Sequence, residues 1–187
     1  MLSKEDKRKI LELARNAIES LFYPEKKEEL WRRKKAVEKL QLKNGVFVTI
    51  MKRNNLRGCI GYIYPVKEFS NLLVDTAISS ATRDPRFDPL SPEELSEIEI
   101  EVSILSEPRK IDSISEIEVG KHGLIVRRGH HQGLLLPQVA TEHNWDRITF
   151  LQHTCIKAGL HPMEYKKEDT EIYVFTAEVF SESELKE

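Results

Sequence analysis

Hydrophobic positions recur every three or four residues in four segments of the chain, which is the period of an α-helix with one buried face. The predicted helices cover residues 3–21, 28–40, 70–83 and 144–158. Ser3, followed by Asp6, is a typical start for the first helix, and Asn144 is expected to cap the last one. The second helix is highly charged and has few apolar positions, so we expect a largely solvated face there.

Apolar residues that alternate with polar ones, and runs rich in β-branched residues, predict strands between these helices. The predicted strands cover residues 45–51, 56–63, 98–105, 122–127, 133–136 and 172–180. Asn54 and Asn55 favour a tight turn, because asparagine tolerates a positive φ, and the first two strands therefore form a hairpin. Hairpin connections make neighbouring strands antiparallel, and the mixed order of helices and strands indicates an α+β fold.

The composition narrows the possible function classes. The 187 residues suffice for one domain or two small ones, and 40% hydrophobic with 32% charged residues excludes membrane and disordered proteins. The net charge of -2 disfavours a dedicated nucleic-acid binder. No apolar run approaches the roughly 18–20 residues that cross a bilayer, and the N-terminus does not resemble a signal peptide. We therefore expect a cytoplasmic protein.

Metal and phosphate motifs are missing from the sequence. Its two cysteines, Cys59 and Cys155, cannot form a four-cysteine zinc site, and we find no HExxH, paired CxxC or phosphate-binding glycine loop. We predict no metal site, and the sequence does not identify a cofactor. Cys155 lies on the apolar stripe of the last helix, so we expect it to be buried.

The hexapeptide Leu56-Arg57-Gly58-Cys59-Ile60-Gly61 resembles the signature of the AMMECR family. Other segments agree with the family pattern in the same order, at residues 83–87, 91–95, 122–124, 135–139 and 145–160. The resemblance covers roughly residues 11–180 and implies a two-lobed α+β protein. The expected larger lobe has a largely antiparallel sheet flanked by helices, and the expected smaller α+β lobe is inserted into it. These lobes are assigned to residues 1–107 with 167–187, and to residues 108–166.

Microbial members of the family resemble one component of a three-part gene system. The resemblance therefore implies a Memo-like protein and a radical-SAM protein as partners, without a defined reaction. Three roles remain open at this stage: an enzyme or enzyme subunit, a non-catalytic interaction module, and an RNA-associated protein. The net charge disfavours the RNA role. The basic run at residues 32–35 is expected to be a solvated helix face, and an RNA contact is the alternative.

The hexapeptide contains the candidate chemistry. On a regular strand Arg57 and Cys59 share one face about 7 Å apart, where the guanidinium would lower the pKa of the thiol. Gly58 and Gly61 would let a ligand or another backbone approach closely. Equally, Cys59 can be a small core residue, and the glycines can serve a bulge or helix packing. A catalytic thiol needs a base, and the family motif points to His122, for which a turn-stabilising role is the alternative.

Two further pairs are candidate ligand-binding residues. Asp84 and Arg86 either form a turn or converge with Arg57 on an anionic ligand, for which arginine supplies paired donors. Gln138 and Glu142 flank a helix entrance and are candidates to line the same cleft, although Glu142 equally suits an exposed first turn.

Overall fold

The computed structural model describes residues 2–185 and divides them into two compact units. Unit 1 runs to Leu105 and resumes at Glu178, and unit 2, Ser106–Ala177, is inserted between these two parts. The first boundary lies close to the expected one, whereas the second lies eleven residues beyond the expected position after residue 166. The part of the chain that the structure describes contains no helix long and apolar enough to cross a membrane.

Helices and strands follow one another in an α+β order. The helices are α1 (Lys4–Glu19), α2 (Lys26–Glu38), α3 (Phe69–Thr82), α4 (Pro137–Glu142), α5 (Arg147–Lys157) and α6 (Glu182–Leu185). The strands are β1 (Gly45–Lys52), β2 (Asn55–Tyr62), β3 (Ile98–Leu105), β4 (Arg109–Lys110), β5 (Gly123–Arg128), β6 (His131–Leu135), β7 (Glu171–Phe175) and β8 (Ala177–Ser181). Short 3-10 turns lie at Pro92–Ser96, Ile114–Glu116 and Glu164–Lys166.

The sheet of unit 1, sheet A, has the strand order β2-β1-β3-β8. Strand β1 is antiparallel to both β2 and β3. One face of this sheet carries the buried side chains of Val46, Val48, Ile50, Ile100 and Val102, which join a core with the apolar stripes of α1 and α3. The alternation in the sequence therefore predicted the buried face correctly.

The β1–β2 hairpin turns one residue earlier than predicted. Its central residues are Arg53 and Asn54, with φ angles of 51° and 63°, while Asn55 already pairs with Lys52. Two consecutive left-handed residues form the turn type whose twist matches that of the flanking strands. The prediction of Asn54-Asn55 as the turn was wrong because it relied on the asparagine pair alone.

A β-bulge interrupts strand β2 at Arg57. Ile50 lies opposite Gly58, but its neighbour Met51 lies opposite Leu56, so Arg57 is the extra residue. Simple alternation placed Leu56 on the same face as Gly58, and the bulge makes that prediction wrong. For the same reason, the expected shared face of Arg57 and Cys59 no longer follows from their spacing.

Unit 2 contains sheet B, with the strand order β4-β7-β5-β6. Its core includes Leu124, Val126, Phe150, Leu151 and Cys155. Cys155 has no exposed surface, which confirms the prediction that it is buried.

Helix α5 begins later than predicted, because its cap is Asp146 and not Asn144. The Asp146 side chain accepts the backbone N–H of Thr149 at 2.7 Å. Asn144 has a φ of 53° and lies in the connection between α4 and α5. The following Gly159, with a φ of 74°, ends the helix as the sequence predicted.

The predicted last strand, residues 172–180, is two strands in two sheets. Strand β7 pairs with β4 and β5 in sheet B, and β8 belongs to sheet A. The assignment of residues 167–177 to the larger lobe was therefore wrong. Residues 172–180 contain no glycine or proline, so no local turn residue marks the change of sheet at Thr176.

Candidate functional site

The hexapeptide lies on β2, at the edge of sheet A, where its outward backbone groups need partners from outside the sheet. Asp84 provides one of them, because its Oδ2 accepts the backbone N–H of Cys59 at 2.9 Å. A second outward group is the carbonyl oxygen of Cys59, which lies 3.5 Å from Nη2 of Arg86. These two side chains occupy the place that a neighbouring strand would take, and they close the sheet edge at Cys59.

Asp84 is almost fully buried and forms a tight pair with Arg86. The carboxylate accepts Nε of Arg86 at 2.9 Å, Nη2 at 2.7 Å and the backbone N–H of Arg86 at 3.1 Å. The hydrogen bond from Arg86 holds the pKa of Asp84 well below its usual value, and the Cys59 N–H adds to the effect. The bond that the backbone N–H of Arg86 donates to the Asp84 carboxylate supports the turn interpretation from the sequence.

Arg57 is engaged by Glu94, which contradicts its expected place beside an anionic ligand. Its Nε and Nη2 each donate to Glu94 at 2.9 Å, and Nη1 donates to the carbonyl oxygen of Asp88 at 2.9 Å. Glu94 also accepts Nζ of Lys52 at 3.0 Å and the backbone N–H of Ser91 at 3.1 Å. The bidentate bond from Arg57 is the main reason that the pKa of Glu94 falls to about 2.

The Cys59 thiol has an environment that favours its neutral form. Burial raises the pKa of Cys59, and the charges of Asp84 and Glu101 raise it further. The hydroxyl of Thr49, which lies 3.4 Å from Sγ, and the charge of Arg86 act in the opposite direction but do not outweigh burial. The expected lowering of this pKa by Arg57 was wrong, since the bulge and Glu94 direct that guanidinium elsewhere.

Both glycines of the hexapeptide are in contact with other parts of unit 1. A Cβ at Gly58 would lie 2.2 Å from the carbonyl oxygen of Ser80 in α3, and one at Gly61 would lie 2.1 Å from the ring of Phe47. These contacts account for both glycines without a ligand, and at Gly58 they match the expected close approach of another backbone. The backbone of α3 fills the space beside Gly58, and the ring of Phe47 fills the space beside Gly61, so both glycines serve packing.

Ser80 also joins α3 to the hairpin by hydrogen bonds. Its hydroxyl accepts the backbone N–H of Ile60 at 3.0 Å and lies 2.8 Å from the carbonyl oxygen of Val48. Helix α3 can lie this close to β2 only because Gly58 has no side chain. Neither Ser80 nor Glu94 was predicted as part of this region. Glu94 had a local signal in the helix start at Ser91, but its bond to Arg57 spans 37 residues.

The remaining candidates belong to unit 2. His122 is buried, and its Nδ1 accepts the backbone N–H of Glu118 at 3.1 Å, which supports the turn-stabilising alternative. Burial is the main cause that lowers the pKa of His122. Gln138 lies in the first turn of α4, and Glu142 is exposed at its last residue rather than in a first turn. All six histidines of the chain lie between residues 122 and 161, so unit 1 has no histidine.

Residues 2–185 contain no group of three or more His, Cys, Asp or Glu side chains placed to hold a metal ion. Around Cys59 there are two ion pairs, Asp84–Arg86 and Arg57–Glu94, and the raised pKa of the thiol favours its protonated form. The ion pairs hold the segment from residue 84 to residue 94 along the edge of sheet A.

Comparisons with known proteins agree on one family. The sequence profile of the AMMECR1 family matches residues 11–180. Protein MK0488 of Methanopyrus kandleri is 47% identical over 98% of this chain and 91% of its own length. Protein PYRAB00100 of Pyrococcus abyssi is 44% identical over 92% of this chain and 88% of its own. The crystal structure of the uncharacterised protein PH0010 from Pyrococcus horikoshii has a TM-score of 0.80 at 41% identity, covering 92% of this chain and 89% of that one.

Proposed function

The chain belongs to the AMMECR1 family, and from that premise we propose that it is a non-catalytic interaction subunit that works with a Memo-like and a radical-SAM protein in the cytoplasm. One observation carries the proposal: the polar side chains around the hexapeptide bind one another and the backbone of unit 1. Such a site builds a defined surface and activates neither Cys59 nor Asp84 as a catalytic group.

The thiol of Cys59 is poorly suited to nucleophilic catalysis by the groups of unit 1. A nucleophilic cysteine acts as the thiolate, which a lowered pKa or an adjacent base must supply. Here burial raises the pKa of Cys59, while Asp84 is a weak base because its own pKa is strongly lowered. Proton transfer from Cys59 to Asp84 is therefore strongly unfavourable.

The surface that results presents two exposed guanidinium groups. Arg83 and Arg86 are exposed on either side of the buried Asp84, and the ion pair with Asp84 fixes the position of the Arg86 guanidinium. Guanidinium groups donate paired hydrogen bonds to carboxylates, and arginine is enriched at protein interfaces. We propose Arg83 and Arg86 as the contact with a partner.

Co-purification tests the proposal. The wild-type chain, co-expressed with the Memo-like and radical-SAM proteins of the same organism, should retain at least one of them on an affinity column. Arg83→Glu should lose that partner, whereas Lys43→Glu, an equal charge change at another exposed position, should retain it. Failure of the wild-type chain to retain either protein contradicts the proposal, and retention by Arg83→Glu contradicts the assigned contact.

A second variant separates interaction from catalysis. Cys59→Ser removes the thiol but keeps its size, so it should retain the partner and complement deletion of the gene. A Cys59→Ser protein that folds and binds its partner but fails to complement would favour the enzyme interpretation instead.

A further inference from the structure

Helix α2 exposes a tryptophan that packing does not explain. Trp31 is 60% exposed, although tryptophan is among the side chains that bury most surface on average. The helix packs against the core of unit 1 through other residues, with Val37 buried and Leu30 partly buried. An indole on the solvent side of such a helix leaves a large apolar surface uncovered, and tryptophan is enriched among the residues that dominate binding energy at interfaces.

Two lysines flank this indole along the helix. Lys27, Trp31 and Lys35 are spaced by four residues, so they form one stripe on the exposed side. Lys27 has no ion pair among the described residues, and Lys35 pairs only with Glu38, at 2.7 Å on the surface. Exposed pairs of this kind contribute little, so a competing carboxylate can replace Glu38 at small cost. We call Lys27, Trp31 and Lys35 the α2 stripe.

We propose that the α2 stripe is a docking surface for an acidic segment of a partner protein. Lys27 and Lys35 are eight residues apart, which is about 12 Å along a helix, with Trp31 midway. Carboxylates four residues apart in an extended segment are about 13 Å apart. The complementary segment is therefore extended, with an apolar side chain over the indole and an acidic residue two positions to each side. This inference does not need Arg83 or Arg86, and it goes beyond the function proposed above.

The charges on α2 favour an acidic protein segment over RNA. The neighbouring cations of the basic run are already matched by glutamates, with Arg32 bound to Glu28 at 2.7 Å and Arg33 bound to Glu29. A nucleic-acid strand that followed the helix would meet these carboxylates as well as the lysines. The net charge of -2 for the whole chain gives no long-range attraction for RNA either. Two discrete positive positions around one indole suit two discrete carboxylates better than a continuous phosphate backbone.

Fluorescence of Trp31 itself can report this binding. The chain has two tryptophans, so Trp145→Phe leaves Trp31 as the only one. The probe is a blocked nine-residue peptide, Ser-Gly-Glu-Ser-Phe-Ser-Glu-Gly-Ser. We expect a saturable blue shift of the emission, because the phenylalanine covers the indole. The effect should weaken as salt is added. If Trp145→Phe does not fold, the wild-type signal minus that of Trp31→Phe gives the same measurement.

Matched variants decide the outcome. Lys27→Glu with Lys35→Glu should weaken peptide binding at least tenfold, whereas Lys43→Glu and Arg83→Glu should leave it unchanged. A peptide with lysine at both glutamate positions should not bind. Absence of a saturable shift up to about 1 mM peptide, or equal binding of the lysine peptide, overturns the proposal. Binding of a single-stranded RNA that depends on Lys27 and Lys35, without peptide binding, overturns it in favour of RNA.

Discussion

Replacing Glu94 with glutamine should destabilise unit 1 near neutral pH and have almost no effect near pH 2. The Glu94 side chain is 15% exposed and joins Arg57 and Lys52 on the hairpin to the turn that follows Ser91. Its pKa lies at about 2 instead of the usual 4.5, chiefly because Arg57 binds the ionised form. Glutamine keeps the shape of the side chain but carries no charge.

The lowered pKa gives both the size and the sign of the effect. One pKa unit corresponds to about 1.4 kcal/mol, so the fall from 4.5 to about 2 corresponds to about 3 kcal/mol. The folded-state pKa is the lower one, so this stabilisation is complete above the unfolded-state value and is lost as the pH falls towards 2. The free energy of unfolding of Glu94→Gln should therefore be about 3 kcal/mol lower than that of wild type at neutral pH. Near pH 2 the two free energies of unfolding should be nearly equal.

Urea unfolding followed by circular dichroism measures this difference at a series of pH values. Subtracting the variant from the wild type removes the contributions of the other carboxylates, which both proteins share. Glu25→Gln, at the exposed N-cap of α2, is the control for the loss of one carboxylate, and its free energy of unfolding at neutral pH should differ from wild type far less than that of Glu94→Gln. A difference between wild type and Glu94→Gln that stays constant between neutral pH and pH 2 would refute the reasoning, because the charge would then not be what Arg57 stabilises.

The remaining predictions concern the hexapeptide. Gly58→Ala should destabilise unit 1 by about 2–4 kcal/mol in urea unfolding, because a Cβ meets the backbone oxygen of Ser80. Gly61→Ala should cost less than Gly58→Ala, because the partly buried side chain of Phe47 can change rotamer whereas the backbone of α3 cannot, and equal losses would contradict this. Iodoacetamide should label Cys59 more slowly than free glutathione near pH 8, because burial raises the pKa of the thiol; mass spectrometry of the labelled peptides would show equal rates if this is wrong.

Elements with a strong local pattern were predictable. The apolar alternation at β3 predicted a strand over residues 98–105, which is the observed Ile98–Leu105. The stripe of α1 and the burial of Cys155 follow from the same periodicity, because a residue's face depends only on its position along a helix or strand. The order of motifs also indicated the family, which the comparisons confirm.

Features that depend on a single residue or on distant partners were not predictable. One bulge residue, Arg57, shifts the register of β2, and one residue, Thr176, separates strands of two sheets. The candidate site depends on partners far along the chain, since Glu94 lies 37 residues from Arg57 and Asp84 lies 25 residues from Cys59.

By itself, then, the sequence determined the fold class, most of the helices and strands, the buried face of sheet A and the family. Only the tertiary structure decided what the hexapeptide does within unit 1. Hydrophobic periodicity is a local property that the chain carries residue by residue. Whether an arginine faces a ligand or a glutamate, and whether a thiol is ionised, depends on burial and on charges that folding brings together.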